Sequence, residues 1–160
     1  MIAMTVATAQ RRVWIYQANR KMQDAEAKEA QAFLDTFKQG WKAHQVKLDA
    51  RIRVLHHLFV VIEVDEARQE ATGCSIDSSV AALRELGKRL DIDFFDRQML
   101  AYEGQEGNIE TARLPELAAL YQSGVITDDT IVYNNLVDQG VDFDQKWRQP
   151  LKASWMARFI

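Results

Sequence analysis

The segment LDARIRVLHHLFVVIEVDE (residues 48–66) contains two strand patterns of different character. From Leu48 to Val54, apolar and charged residues alternate, which predicts a strand with one buried and one solvated face. Residues 58–64 are apolar at nearly every position, as is typical of the central strand of a sheet. His56 and His57 join the two patterns without a glycine, proline or Asn-Gly turn signal, so a hairpin and one long bent strand are both open.

The segments on either side of this pair supply helices and further strands. RRVWIYQANR (11–20) alternates and is rich in β-branched and aromatic residues, which predicts a first strand. Apolar residues then recur at spacings of three and four on a helix for which Asp24 is the expected N-cap; they are Ala30, Phe33, Leu34, Phe37 and Trp41. Later in the chain we expect strands at 93–104 and 128–138, a short helix from Pro115 to about Gln122, and a C-terminal helix from Pro150.

The resulting order of elements is β-α-β-β-α-β followed by α-β-α. Its first six members match a split βαβ, ferredoxin-like arrangement. We therefore expect an α+β fold with a mainly antiparallel sheet of about five strands, helices on one face and a C-terminal α-β-α extension. The 160 residues suit a single domain, 1–160, in which residues 1–10 are expected to be a flexible N-terminus.

The composition excludes several classes of function. A formal net charge of −3 gives no strong field for nucleic acid or for an anionic membrane. One cysteine excludes an internal disulfide, and with three histidines it leaves no Cys-rich metal site. No apolar run approaches the roughly 18 residues that a spanning helix needs. We therefore expect a cytoplasmic protein with no metal, no cofactor, no nucleic acid partner and no membrane association.

The central strand is followed by Asp65-Glu66, and an apolar strand that ends in Asp-Glu is the pattern of a Walker B element in nucleotide-hydrolysing proteins. That chemistry also needs a phosphate-binding loop of the form GxxxxGK[ST]. The only Gly-Lys pair, Gly87-Lys88, lies in a predicted helix and is followed by Arg89. We therefore predict that the protein is not an ATPase, and we keep Asp65 as a candidate because functional side chains often emerge where strands end.

The stretch ATGCSIDSSV (71–80) precedes the second predicted helix and is the main candidate site. A helix N-terminus carries free amide groups and a partial positive charge, so these amides with Gly73, Ser75 and Ser78 are candidates for binding a small anion. The alternative is simple capping, with Ser75 as N-cap, Asp77 in the first turn and Gly73 at the bend. We expect Asp65, His44 and Arg97 to lie near this helix start. The candidate ligand-binding residues are therefore Gly73, Ser75, Asp77, Ser78, Asp65 and Arg97.

Two hypotheses of a different class use the same sequence. Cys74 at the helix start is a candidate nucleophile, for which His44 is a candidate base alongside His56 and His57. Alternatively, the protein is a structural homodimer that pairs through a sheet edge or its C-terminal helix. The leading hypothesis is a non-catalytic binding module for a small anionic ligand or a protein partner.

Six motifs spread along the chain resemble a small uncharacterised bacterial family found mainly in Bacteroidetes. They are VWIYQANR, WKAH, FVVIEVDE, GCSIDSSV, DFFDR and the Trp-rich tail. Members of that family often carry the label "ABC transporter ATPase". The resemblance implies a stand-alone cytoplasmic domain and no catalytic residues, and the missing phosphate-binding loop contradicts the label.

Overall fold

The computed structural model describes residues 10–160, so the predicted flexible terminus lies outside the described residues except for Gln10. The strands are β1 (Arg11–Gln17), β2 (Lys42–Ala43), β3 (Val46–Lys47), β4 (Asp49–Leu55), β5 (Phe59–Asp65), β6 (Met99–Glu103), β7 (Ile109–Arg113), β8 (Ile131–Tyr133) and β9 (Arg148–Pro150). The α-helices are α1 (Asp24–Gln39), α2 (Gly73–Leu90), α3 (Leu117–Gln122) and α4 (Gly140–Lys146). The α+β class is therefore confirmed.

A three-stranded sheet in the order β1-β5-β4, here called the first sheet, contains the split βαβ unit. The central strand β5 is antiparallel to both neighbours, and α1 connects the two outer strands. All residues of β5 from Phe59 to Val64 are buried, as its continuous apolar pattern predicts. The ferredoxin-like comparison holds for these three strands only, because the next strand of the chain joins a different sheet.

The join at His56-His57 is a tight hairpin turn and not a bent strand. Leu55 pairs with Phe59, and the Leu58 amide donates to the Leu55 carbonyl at 3.0 Å. His56 and His57 both have a φ of 56°, the left-handed region that a turn of this hand requires. Of the two alternatives that the sequence left open, the structure therefore has the hairpin.

A second sheet, in the order β7-β6-β8-β9, replaces the predicted outer strands of a single five-stranded sheet. The strand expected at 93–104 begins only at Met99. The carboxylates of Asp93 and Asp96 accept hydrogen bonds from the amides two residues later, at 2.8 and 3.0 Å, and so hold residues 93–98 in turns. Strands β7 and β9 and helix α4 are not predicted by the sequence patterns.

The predicted ends of several elements are also corrected. Gln23, and not Asp24, precedes α1, and its amide donates to the Glu26 carboxylate at 2.9 Å. The strand expected at 128–138 is confined to β8 and is not the last. Pro150 ends β9, and the C-terminal helix is replaced by two 3₁₀ segments; these are Leu151–Ala153 and Trp155–Phe159.

The first sheet is covered on both faces, whereas helices on one face only were expected. Helix α1 packs on β4 at one face, and its Gln31 side chain reaches the outer edge of that strand, where it bonds the main chain of Ile52 and Val54 at 2.9 and 2.8 Å. Residues of the opposite face meet α4 and the second sheet through an aromatic cluster with ring centroids about 5 Å apart; its members are Phe59, Tyr133, Phe143 and Trp147. This cluster joins the first sheet to the C-terminal third of the chain.

Candidate functional site

The start of α2 is a closed cap formed by the chain itself. Thr72 is the N-cap, and its hydroxyl accepts from the Ser75 amide at 3.1 Å. The Ser75 hydroxyl in turn accepts from the Thr72 amide at 2.7 Å. This reciprocal pair is a capping box in which Ser75 is the third helical residue. The expectation that Ser75 is the N-cap is therefore wrong, and the cap begins three residues earlier.

The hydroxyls that were candidates for binding an anion point back into the helix. Ser75 is only 2% exposed, and its carbonyl accepts the Trp41 indole N–H at 2.7 Å. The Ser78 hydroxyl donates to the Cys74 carbonyl at 3.0 Å. Asp77 is exposed but lies beyond the first turn, so it does not occupy the positive end of the helix as expected. Gly73 is exposed, and it is the one residue of this candidate set that presents an accessible amide in the first turn.

Cys74 and His44 are both exposed, on separate elements. His44 lies in the tight β2–β3 turn, where it and Gln45 have φ values of 51° and 64°. Within residues 10–160, no histidine nitrogen hydrogen-bonds the Cys74 sulfur, and no cluster of three or more His, Cys, Asp or Glu residues could hold a metal ion. The Cys74 nucleophile stays a prediction without a bound base in this structure.

Neither Asp65 nor Arg97 has a hydrogen bond to the start of α2 within the described residues. The Asp65 carboxylate accepts from the Ala67 amide at 3.0 Å and so forms the turn that leaves β5. Arg97 is exposed and lines a groove beside β1. The structure therefore does not show the six predicted ligand residues as one site.

The groove along the outer edge of β1, here called the β1 groove, is a cavity of about 500 Å³. It lies between β1, the turns at 94–97, the segment 135–138 and the 3₁₀ segment that begins at Trp155. Its walls are largely aromatic and aliphatic; they include Trp14, Ile15, Tyr16, Phe95, Leu136 and Trp155. Leu136 is 68% exposed at its rim. Small-molecule sites are commonly apolar clefts of this size with a few polar groups.

Three polar groups that line the β1 groove have no protein partner; they belong to Gln17, to Arg97 and to Trp155, whose buried indole N–H bonds no atom of the described chain. Gln17 is only 5% exposed, and its side-chain oxygen accepts from the Asn135 amide at 2.9 Å. Its amide nitrogen bonds to no atom of the described chain, although a buried polar group normally finds a partner. The Arg97 guanidinium likewise makes no hydrogen bond or ion pair within residues 10–160.

The charges around the groove are unevenly neutralised. The Asp96 carboxylate is paired with Arg113 at 2.8 Å, which holds the pKa of Asp96 below its usual range. Asp138 is exposed at the end of the groove beside Val13, whose amide bonds the Asp138 carbonyl at 2.9 Å. Burial raises the pKa of Tyr16, and nearby Ser79 and the Arg97 charge partly offset that rise. Arg97 lines the groove two residues after Phe95, which packs against Tyr16 with ring centroids 5.5 Å apart, so it can meet an anion at the Tyr16 end.

A second polar cluster, beside the aromatic cluster, is already satisfied by its own members. Arg148 bonds both oxygens of Glu103, and the Tyr133 hydroxyl donates to the same carboxylate at 3.2 Å. Burial, followed by the charge of Arg148, lowers the pKa of His56, which stands against the Tyr133 and Trp147 rings. This cluster leaves no unpaired group that points to a ligand.

Sequence reasoning identified Arg97 but did not identify Gln17. One signal was available, because Val13, Ile15 and Gln17 share one face of a strand and Gln17 is its only amide. A buried amide on an apolar strand face needs a partner. Asn135, the partner of one of its two groups, lies 118 residues away, so no local pattern reveals what remains unpaired.

Comparison with protein-family models, with curated proteins and with solved structures gives no match. Among the described residues, none of the helices has the length and apolar character required to cross a bilayer. The family resemblance carried by the six motifs therefore stays a prediction.

Proposed function

We propose that the protein is a non-catalytic binding module and that the β1 groove, with Arg97 at one end, receives a small anionic ligand. This keeps the function expected from the sequence and moves the site away from the start of α2. The observation that carries the proposal is the unpaired Gln17 amide, which is buried at a largely apolar groove that the unpaired Arg97 also lines. Unpaired donors at the wall of a cavity are where a ligand gains most from a hydrogen bond.

The lining specifies the ligand further. Its aromatic walls favour a flat or branched apolar body, which they would cover with the offset and edge-on contacts that aromatic rings prefer. The Gln17 amide nitrogen and the Arg97 guanidinium are donors, so they call for acceptors on the ligand. A carboxylate satisfies an arginine with two parallel N–H donors, so we propose an apolar carboxylate.

The start of α2 supports an anion site less well. Its serine hydroxyls are bonded to its own backbone, and Ser75 is buried. An incoming anion would meet the amides of Gly73 and Cys74 without side-chain support, in competition with water. We also predict no binding of Mg-ATP, because the sequence contains no phosphate-binding loop.

Titration calorimetry with 3-phenylpropionate tests this proposal. We expect binding of the carboxylate, weaker binding of 3-phenylpropanamide, and a loss of roughly tenfold or more in affinity for Arg97→Ala, because a hydrogen bond to a charged group is removed. Arg68→Ala is the matched control, since Arg68 is an exposed arginine outside the groove, and it should bind as the unaltered protein does.

Three results would contradict the proposal. The first is that the carboxylate does not bind at millimolar concentration. The second is that Arg97→Ala and Arg68→Ala lose affinity equally, which would indicate a general charge effect. The third is that Mg-ATP binds, in which case the family label and not the groove would describe the protein. Cys74→Ser should leave the affinity for 3-phenylpropionate unchanged. A loss of affinity would indicate that the ligand binds at the start of α2 and not in the groove.

A further inference from the structure

The main chain of β1 has unpaired hydrogen-bonding groups inside the groove. In the β1–β5 pairing, the Ala18 amide bonds the Leu58 carbonyl at 2.8 Å, so the main-chain N–H and C=O groups of the even-numbered residues of β1 point toward β5. The main-chain groups of the odd-numbered residues point away from β5, to the outer edge. The Val13 amide accordingly bonds the Asp138 carbonyl on the outer side at 2.9 Å. The N–H and C=O of Ile15 therefore point away from the first sheet, into the groove.

Nothing in the described chain bonds these two groups of Ile15. At the other edge of the first sheet, the corresponding groups are paired, because the Gln31 side chain bonds the outward C=O of Ile52 and N–H of Val54 on β4. Proteins normally cover sheet edges, since an open edge is a template for another strand. On β1 the cover ends after the Arg12–Gln139 bridge, and Ile15 is left open.

We propose that the ligand is the carboxyl-terminal end of a peptide, bound in extended form against Ile15 with its carboxylate on Arg97. This rests on the proposed function, because it assigns the ligand of the same groove. The Ile15 N–H and C=O form the pair that recognises a peptide main chain when a strand is added to a sheet edge. A carboxylate without a neighbouring amide would leave both groups unpaired.

The charges set the direction of the peptide. Arg97 follows Phe95, whose ring centroid lies 5.5 Å from that of Tyr16 near the end of β1, and Asp138 lies beside Val13 near its start. A terminal carboxylate at Arg97 places the preceding residues toward Val13, so the peptide runs parallel to β1. In a parallel pair, the Ile15 N–H donates to one peptide carbonyl, and the Ile15 carbonyl accepts an amide two residues further on.

The length is short because the groove is closed at both ends. The Val13–Asp138 bond closes one end, and the contact between Gln17 and Asn135 closes the other. The four residue-to-residue steps from Val13 to Gln17 span about 13 Å of strand. This length suits an acetylated dipeptide, whose acetyl carbonyl and second amide are the two groups that Ile15 can bond.

Calorimetry with acetyl-Ala-Phe, as the free acid, tests this with the complete chain. We expect it to bind more tightly than acetyl-Phe, which lacks the second carbonyl, by roughly 2- to 10-fold. N-methylation of its phenylalanine should lower the affinity by a similar factor, because that amide faces Ile15. N-methylation of its alanine should have little effect, because that amide faces away. The terminal amide acetyl-Ala-Phe-NH₂ should lose roughly tenfold or more.

The outcomes separate this inference from the proposed function. If 3-phenylpropionate binds in an Arg97-dependent way but acetyl-Ala-Phe is no tighter than acetyl-Phe, the peptide assignment is overturned and the anion site stands. Equal effects of the two N-methyl groups also overturn it. If neither class of carboxylate binds, both proposals fall.

A variant of the protein gives an independent check. Ile15→Pro removes the outward N–H and leaves the ladder to β5 intact, which an edge strand tolerates. We expect the tighter binding of acetyl-Ala-Phe relative to acetyl-Phe, which depends on the Ile15 N–H, to disappear in Ile15→Pro and to persist in Ile15→Val. Thermal unfolding establishes that both variants are folded, and the N-methyl comparison decides the question if Ile15→Pro is not.

Discussion

The buried carboxylate of Glu63 allows a test of how much its ion pairs with two arginines contribute to the stability of the first sheet. Glu63 is 3% exposed and is contacted by two guanidinium groups, from Arg11 at 3.2 Å and from Arg53 at 2.9 Å. Arg11 also bonds the Gly140 carbonyl and the Asp144 carboxylate, each at 2.7 Å. The change Glu63→Gln keeps the shape of the side chain and removes the shared negative charge.

The expected cost is about 3 kcal/mol of unfolding free energy. Removing one partner of a buried pair typically costs about 3–5 kcal/mol, because the other charge remains desolvated. The side chains of Arg11 and Arg53 are 24% and 28% exposed, and Asp144 still neutralises Arg11, so the lower end of that range applies. For a chain of 160 residues, this corresponds to a fall in Tm of about 6–12 °C.

Urea and thermal unfolding measure this cost, and Glu85→Gln is the matched control. Glu85 pairs with Arg89 at 3.2 Å, but both side chains are more than half exposed, so we expect a change below about 0.5 kcal/mol. A second variant, Glu63→Met with Arg53→Met, should recover part of the loss, because an apolar pair needs no counter-charge. A cost for Glu63→Gln no larger than that for Glu85→Gln would show that burial of the Glu63 charge does not determine its contribution to stability.

Three further changes test other parts of the structure by thermal and urea unfolding. Trp147→Ala should cost about 3–5 kcal/mol, because it empties the centre of the aromatic cluster and frees the Asn135 oxygen that accepts its N–H at 3.0 Å; a cost below 1 kcal/mol would contradict the role of that cluster. Gln45→Gly should stabilise the protein by about 0.5–1 kcal/mol, since glycine adopts a φ of 64° without the penalty of a side chain, whereas Gln45→Ala should not. The folded-state pKa of His56 is lowered by burial, so the unfolded state binds more protons and stability falls as the pH drops below about 6.5; a slope between pH 7 and 5 as steep in His56→Asn as in the unaltered chain would show that another group is responsible.

The sequence predicts the first sheet well because its signals are local. Residues 58–64 form the central strand that their continuous apolar run indicates, and the alternation from Leu48 agrees with the burial of Ile52. Hydrophobic patterns do not predict strands that form only through long-range pairing. Strand β9 is three residues long and contains Pro150, so only its pairing with β8 makes it a strand.

Turn chemistry was the other source of error. The hairpins at His44-Gln45 and at His56-His57 place non-glycine residues in the left-handed region, at positions where glycine or asparagine gives the usual signal. His57 bonds Asp24 at 2.7 Å, and His56 packs against aromatic rings. These tertiary contacts offset a strain of about 1–2 kcal/mol per residue, and no single-sequence rule contains them.

The start of α2 and the β1 groove differ in how much hydrogen-bonding capacity the fold leaves over. At the helix start, Thr72 and Ser75 satisfy each other, and Ser78 bonds its own helix, so a pattern with many hydroxyls has little left for a ligand. In the groove, a pattern with few polar residues leaves the Gln17 amide and the Ile15 main chain unpaired. A sequence shows which groups are present, but only the three-dimensional pairing shows which are already bonded. Because an unpaired buried group costs about 1–3 kcal/mol, a ligand that pairs the Gln17 amide would stabilise the folded state, which is why we propose the groove and not the helix start as the site.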